Sequence, residues 1–156
     1  MRIIKFGFIS LIIFFVVLTA ISLGIPSHIR ISKAINIHAG SSAILSLIED
    51  TTKWPQWHPA YGAGKPLPQG LTIKPLYRND TSVVMQMQQY QRTPVISGWQ
   101  IHRFPTSDYS TLQWYMDFHL SWYPWQKFSS LVYEKTYGLM MQKGLDNIKK
   151  VVELEE

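Results

Sequence analysis

Leu112, Trp114, Met116 and Phe118 occupy every second position between Thr111 and Leu120, with Gln113, Tyr115, Asp117 and His119 in the gaps. A period of two predicts a β-strand with one large apolar face and one polar face. The pattern recurs from Ser82 to Gln91, where Val83, Met85 and Met87 alternate with Val84, Gln86 and Gln88 and the inner face turns polar towards Gln89. Beyond Pro94, the run from Val95 to Phe104 puts Trp99 and Ile101 on one face with Val95, Ser97 and Arg103. Leu71 to Tyr77 reads as a further strand in which Pro75 marks an edge or a bulge, and Asn79-Asp80 is a turn signal. Ile29, Ile31, Ala34, Ile35 and Ile37 form a less regular β-rich run ending near His38.

Helical spacing appears in two places. Gly40-Ser-Ser-Ala43 supplies an N-terminal cap, after which Ile44, Leu47 and Ile48 form one stripe ahead of Glu49-Asp50. Pro55, between Trp54 and Trp57, suits the first turn of a second short helix. From Pro124 onward, Leu131, Gly138, Met141, Leu145, Ile148 and Val152 keep three-and-four spacing, and Glu134 falls inside that stripe. Tyr61 to Gly70 is rich in Gly and Pro and is expected to be a mobile loop at the mouth or edge of the fold. One strand, two short helices, several antiparallel strands and a long terminal helix make an α+β order. An antiparallel sheet with so apolar a face needs a cover, and a helix laid across it can enclose a hydrophobic pocket.

Phe6 to Ile25 carries no charge and, as a helix, would extend about 30 Å, the thickness of a bilayer core. It reads as a membrane span. A cleaved signal peptide is the competing reading, with Arg2 and Lys5 as its basic start and Ser22-Leu-Gly24 at its cleavage site; the length of the apolar run favours the span. The expected division is residues 1–28 as anchor and short linker and 29–156 as the folded domain. The short basic N-terminus favours the cytoplasmic side for itself and places the domain outside, although Arg30 and Lys33 at the other end nearly balance it. The formal charge of +5 becomes +3 once Arg2 and Lys5 are set aside, which gives no support to nucleic-acid binding. The absence of cysteine excludes disulfides, thiolate catalysis and thiolate metal sites.

The remaining chemistry is sparse. His28, His38, His58, His102 and His119 show no metal-ligand spacing and read as surface or structural groups. No serine lies in a Gly-x-Ser-x-Gly turn, and no phosphate-binding glycine loop is present. Glu134, Arg103 and Gln89 fall near the apolar face, where each must pair, reach solvent or meet a polar ligand group. A carboxylic acid so placed is also a general acid or base by type, which makes Glu134 the one weak catalytic candidate. Trp122, Tyr123, Trp125 and Phe128 around Pro124 suit either a membrane-contacting lip or, preferably, packing at the strand-to-helix corner. Trp54 and Trp57 read as packing residues.

Three stretches resemble the SRPBCC superfamily of START-like, polyketide cyclase/dehydrase and lipid-transport proteins. Ile35 to Ala39 leading into Ser42 to Asp50 resembles the first strand and helix of that family. Trp54-Pro-Gln-Trp57 with Pro59 is similar to a two-tryptophan segment of bacterial members, and Tyr137 to Lys150 to their terminal helix. The likeness spans roughly Ile29 to Glu153 and departs from the family in the middle, where Gln-rich and aromatic strands replace glycine-rich hairpins. It implies a helix-grip fold, a curved antiparallel sheet wrapped around a long C-terminal helix, here preceded by a transmembrane helix. It also implies a hydrophobic small molecule or lipid held between sheet and helix, and no cofactor. On that reading Met85, Met87, Trp99, Ile101, Leu112, Trp114, Met116 and Phe118 face Leu131, Met141, Leu145 and Ile148, and the ligand contacts come from this set with Glu134. Ordinary core packing uses the same residues. A cyclase- or dehydratase-like enzyme and an interaction module without a ligand, in a membrane assembly, are the alternatives. No particular protein partner is implied.

Overall fold

The computed structural model describes residues 2–62 and 68–154. A first helix, α1 (Arg2–Leu23), leads through a four-residue link to strand β1 (His28–Ile37). Two short helices follow, α2 (Ser41–Glu49) and α3 (Trp54–Trp57), joined by a 3₁₀ turn over Thr51–Lys53. Strands β2 (Leu71–Asn79), β3 (Ser82–Gln89), β4 (Val95–Arg103) and β5 (Ser110–His119) form a meander. The chain closes with α4 (Pro124–Ser130), a π-helical turn over Glu134–Gly138 and the long α5 (Leu139–Leu154). Residues 63–67, within the loop expected to be mobile, lie outside the described residues.

The five strands make one curved antiparallel sheet in the order β1-β5-β4-β3-β2. Alternation sets which face is buried. Val83, Met85 and Met87 of β3, Trp99 and Ile101 of β4, and Leu112, Trp114, Met116 and Phe118 of β5 all point inward and are buried. In β1, Ile31 and Ile37 do the same, and the in-phase Lys33 extends past the edge to Glu134. Pro75 sits on the edge strand β2, where the register shifts between Pro75 and Tyr77, a position that tolerates a residue without a backbone donor. α5 runs along β1 with Met141, Leu145, Ile148 and Val152 buried, and α2 and α3 fill the space between α5 and the sheet.

α1 lies largely outside this packing. Its residues Ile4–Leu23 have a mean hydropathy of 2.7, long and apolar enough to cross a bilayer, a property that leader sequences share. Its end is fastened to the domain. Lys127 of α4 is buried, and its Nζ donates to the Ile25 carbonyl at 2.6 Å and to Ser27 Oγ at 2.7 Å.

The terminal helix departs from the expected single stripe. The chain turns after Ser130, and the π-helical turn inserts one extra residue into the helical repeat, so phase is lost N-terminal to Gly138. Leu131, expected to face the sheet, is 66% exposed. Glu134, expected in the apolar stripe, has a side chain 62% exposed and pairs with Lys33 at 2.6 Å.

Candidate functional site

The middle of the apolar face is full. Trp99 and Trp114 are register partners on β4 and β5, and their rings stack with centroids 5.4 Å apart. Trp57 stands edge-on against both, at 6.3 and 5.7 Å. His58 stacks against Trp54 (5.4 Å) and Tyr61 (4.3 Å), which stack on each other at 5.6 Å, and it also meets Trp114 (5.4 Å). Gly144 on α5 admits the stack: a Cβ there would lie 2.7 Å from Trp114 Cζ3 and 3.3 Å from Pro59 Cδ.

Hydrogen bonds lock this plug. Trp54 Nε1 donates to the Ile48 carbonyl at 2.7 Å and Trp57 Nε1 to Leu47 at 3.2 Å, so two indoles satisfy carbonyls that the end of α2 leaves without helical partners. Trp114 Nε1 donates to Ser97 Oγ at 2.7 Å, and Asn147 Nδ2 of α5 to the Trp57 carbonyl at 2.9 Å. Burial lowers the His58 pKa from 6.5 to about 4, so at neutral pH its imidazole is uncharged; Nδ1 accepts the Ala60 N–H.

Space opens at one end of the sheet. A half-open cavity of about 420 Å³ lies where β3 and β5 finish and β4 begins, within the size range of small-molecule sites. Val95 and Phe118, register partners, form its sheet side. Tyr133 and Tyr137, four residues apart across the π-helical turn, form its helix side, and both rings meet Phe118, at 5.0 and 4.7 Å. Its rim is Gln91, Arg92 and Thr93 of the β3–β4 hairpin, with His119, Leu120 and Gln126. The same end of the sheet holds the start of β1, where His28 pairs with His119 and the Leu120 N–H donates to the Ser27 carbonyl. The cavity therefore opens at the end from which α1 leaves.

Of the residues expected to contact a ligand, Phe118 lines this cavity; Met85 lines a smaller hollow of about 280 Å³ with Leu71 and Ile73. Met87, Trp99, Ile101, Leu112, Trp114, Met116, Met141 and Leu145 are buried core residues that line neither. Glu134 belongs to a surface hollow beside Lys33. Arg103 reaches solvent at the other end of β4 and bonds to Ser41 Oγ. Sequence reasoning missed Val95's partners in the site, Arg92, Tyr133 and Tyr137. The four-residue spacing of the two tyrosines was a visible signal; the π-helical turn that aims them inward was not.

The corner aromatics also differ from expectation. Trp122 and Trp125 are each 60% exposed, and instead of packing into the corner they sandwich Tyr123, at 4.8 and 4.9 Å. They stand on α4 and the link before it, beside α1.

No protein-family model matches the chain, and no curated protein does. Solved structures share its fold. A START superfamily protein from Mycobacterium smegmatis superposes with a TM-score of 0.56 at 20% identity, over 81% of this chain and 99% of that one. The di-domain ARO/CYC protein StfQ of the steffimycin biosynthetic pathway gives 0.59 at 10% identity, over 82% of this chain and 51% of that one. A Bacillus thuringiensis protein of uncharacterised role gives 0.55 at 16% identity, over 80% and 98%. The fold is thus the helix-grip fold of START and ARO/CYC proteins.

Proposed function

We propose that the chain is a membrane-tethered binding domain for a hydrophobic small molecule or lipid, with residues 1–28 as anchor and linker and 29–156 as the binding domain. The observation that carries this reading is the position of the Phe118–Tyr133–Tyr137 cavity: it opens at the end of the sheet where the apolar α1 departs. A ligand leaving the bilayer would meet this opening first. Exposed Trp122 and Trp125, beside α1, suit the headgroup layer, where aromatic rings with polar edges concentrate. The binding residues are Phe118, Val95, Tyr133 and Tyr137, and buried residues of the same sheet face, among them Met87 and Met116, support them from the core without lining the cavity.

Glu134 motivated the cyclase-like alternative, and its ion pair with Lys33 on the surface removes it from the apolar face. Binding without turnover is the simpler reading of the lining.

The test is native mass spectrometry of the full chain released from a mild detergent, followed by organic extraction of whatever travels with it. The expected result is a discrete adduct displaced by competing apolar ligands and lost in a Tyr137→Glu variant that still folds, which puts a charge on the half-buried helix side of the cavity. A clean apo mass across a panel of lipids and hydrophobes would overturn the reading and favour an interaction module, to be pursued by crosslinking in membranes.

A further inference from the structure

The cavity has two unlike sides: Val95, Phe118 and the rings of Tyr133 and Tyr137 make an apolar patch, and the β3–β4 hairpin with His119 and Gln126 gives the larger, polar share of the lining. Among the described residues its lining holds one arginine, one histidine and no carboxylate. Asp117, adjacent to Phe118 in the chain, points to the opposite sheet face, where Arg30 binds both its oxygens at 2.6 Å. Gln126 uses its Oε1 to accept the Ser121 N–H at 2.8 Å, so its NH₂ is the end left to donate. Arg92 makes no ion pair among the described residues, and its charge reaches Tyr137, whose pKa burial and Tyr133 raise and Arg92 lowers.

The hairpin that carries Arg92 is fixed. The Arg92 N–H donates to the Gln89 carbonyl at 3.1 Å, and Gln88 Nε2 donates to the Arg92 carbonyl at 3.1 Å. Between them Tyr90 has a φ of 51°, a left-handed conformation unusual for an aromatic residue, and its N–H is tied to the Gly70 carbonyl at 3.0 Å. The guanidinium is thus carried by a constrained backbone on the polar side of the cavity, across from the Phe118–Tyr133–Tyr137 patch.

We infer that the ligand is an acidic amphiphile, whose carboxylate or phosphate head lies against Arg92 and the Gln126 amide while its hydrocarbon tail lies between Phe118, Tyr133 and Tyr137. This rests on the apolar-ligand reading above and adds the head-group chemistry. A rim of donors without a carboxylate favours an anion over a neutral alcohol of the same chain, because a charge-assisted bond from guanidinium to an oxyanion is stronger than one to a hydroxyl and can be bidentate.

The experiment uses the full chain in phosphatidylcholine nanodiscs, with binding of radiolabelled oleate and oleyl alcohol measured above empty discs. Oleate is expected to bind about tenfold or more tightly than the alcohol. Arg92→Gln should weaken oleate by about the same factor and the alcohol by much less, with Arg92→Lys restoring part of the difference. Oleyl phosphate in place of oleate tells a phosphate head from a carboxylate; preference for either over the alcohol supports the assignment. Equal affinity for acids and alcohol, or equal weakening of both in Arg92→Gln, would overturn the head-group assignment and leave the proposed cavity as a binding site. No binding of any probe above empty discs would overturn both.

Discussion

The two halves of the space between sheet and helix are built from similar residues and differ in filling. Away from α1, Trp54, Trp57, His58, Trp99 and Trp114 interlock, their indole N–H groups tied to the end of α2 and to Ser97 where partners exist. Towards α1, Phe118, Tyr133 and Tyr137 touch one another around an open volume. What separates them is a third layer: α2 and α3 reach over the first half and insert Trp57, and among the described residues nothing of that size reaches the second. The open part of the space between sheet and helix is thus the part nearest α1, and on the proposed reading a ligand enters from the side of the anchor.

Breaking the plug should have the largest effect. Trp57→Ala removes a fully buried ring that touches both sheet tryptophans and is expected to cost about 3–5 kcal/mol, read as a lower urea midpoint. A loss under about 1 kcal/mol would mean that the first half can collapse, and that the two halves are less distinct than their packing indicates.

Acid should open the same half. An unfolded histidine titrates near 6.5 and His58 in the fold at about 4, so below 6.5 the unfolded chain takes up a proton that the native chain refuses. The stability contribution of neutral His58 is complete above about pH 6.5 and falls as pH drops towards 4, by about 3 kcal/mol in all. Urea midpoints at pH 7 and pH 4.5 should diverge in the wild type and converge in His58→Phe. Equal divergence in the variant would assign the effect to other groups.

Gly144→Ala sharpens the point with one methyl group. Its Cβ would meet Trp114 at 2.7 Å, so helix or ring must shift, at about 1–3 kcal/mol, seen as a lower melting temperature. At the open end, Tyr137→Ala removes a half-buried ring with room beside it and should cost about 1 kcal/mol while weakening any apolar ligand. The smallest effect belongs to Glu134→Gln. Loss of an exposed pair with Lys33 should change stability by less than about 0.5 kcal/mol and leave ligand binding unchanged. A large binding defect there would bring Glu134 back into the site.

Much of this was legible along the chain. The alternation in β3, β4 and β5 assigned the inward residues correctly from Val83 to Phe118, and Pro75 marked the edge strand, because the side-chain period of a strand is a local property. α5 followed for the same reason, with Met141, Leu145, Ile148 and Val152 buried at helical spacing. The first part of the terminal helix was not legible. A stripe read from Leu131 to Val152 assumes an unbroken 3.6-residue repeat, and a single π-helical turn rotates everything before it, exposing Leu131 and Glu134 and turning Tyr133 and Tyr137 inward.

By itself, then, the sequence determined which residues of the domain leave water, the strand faces and the late helix stripe, and that the N-terminal helix is long and apolar enough to cross a bilayer. The tertiary structure alone decided which of those residues fill space and which border it. That depends on where Trp57 lands against Trp99 and Trp114, how closely Gly144 lets α5 approach, and where the π-helical turn resets the helix. Burial follows from the local period of apolar side chains, whereas a cavity is what remains after elements distant in sequence have packed, and no local pattern encodes that remainder.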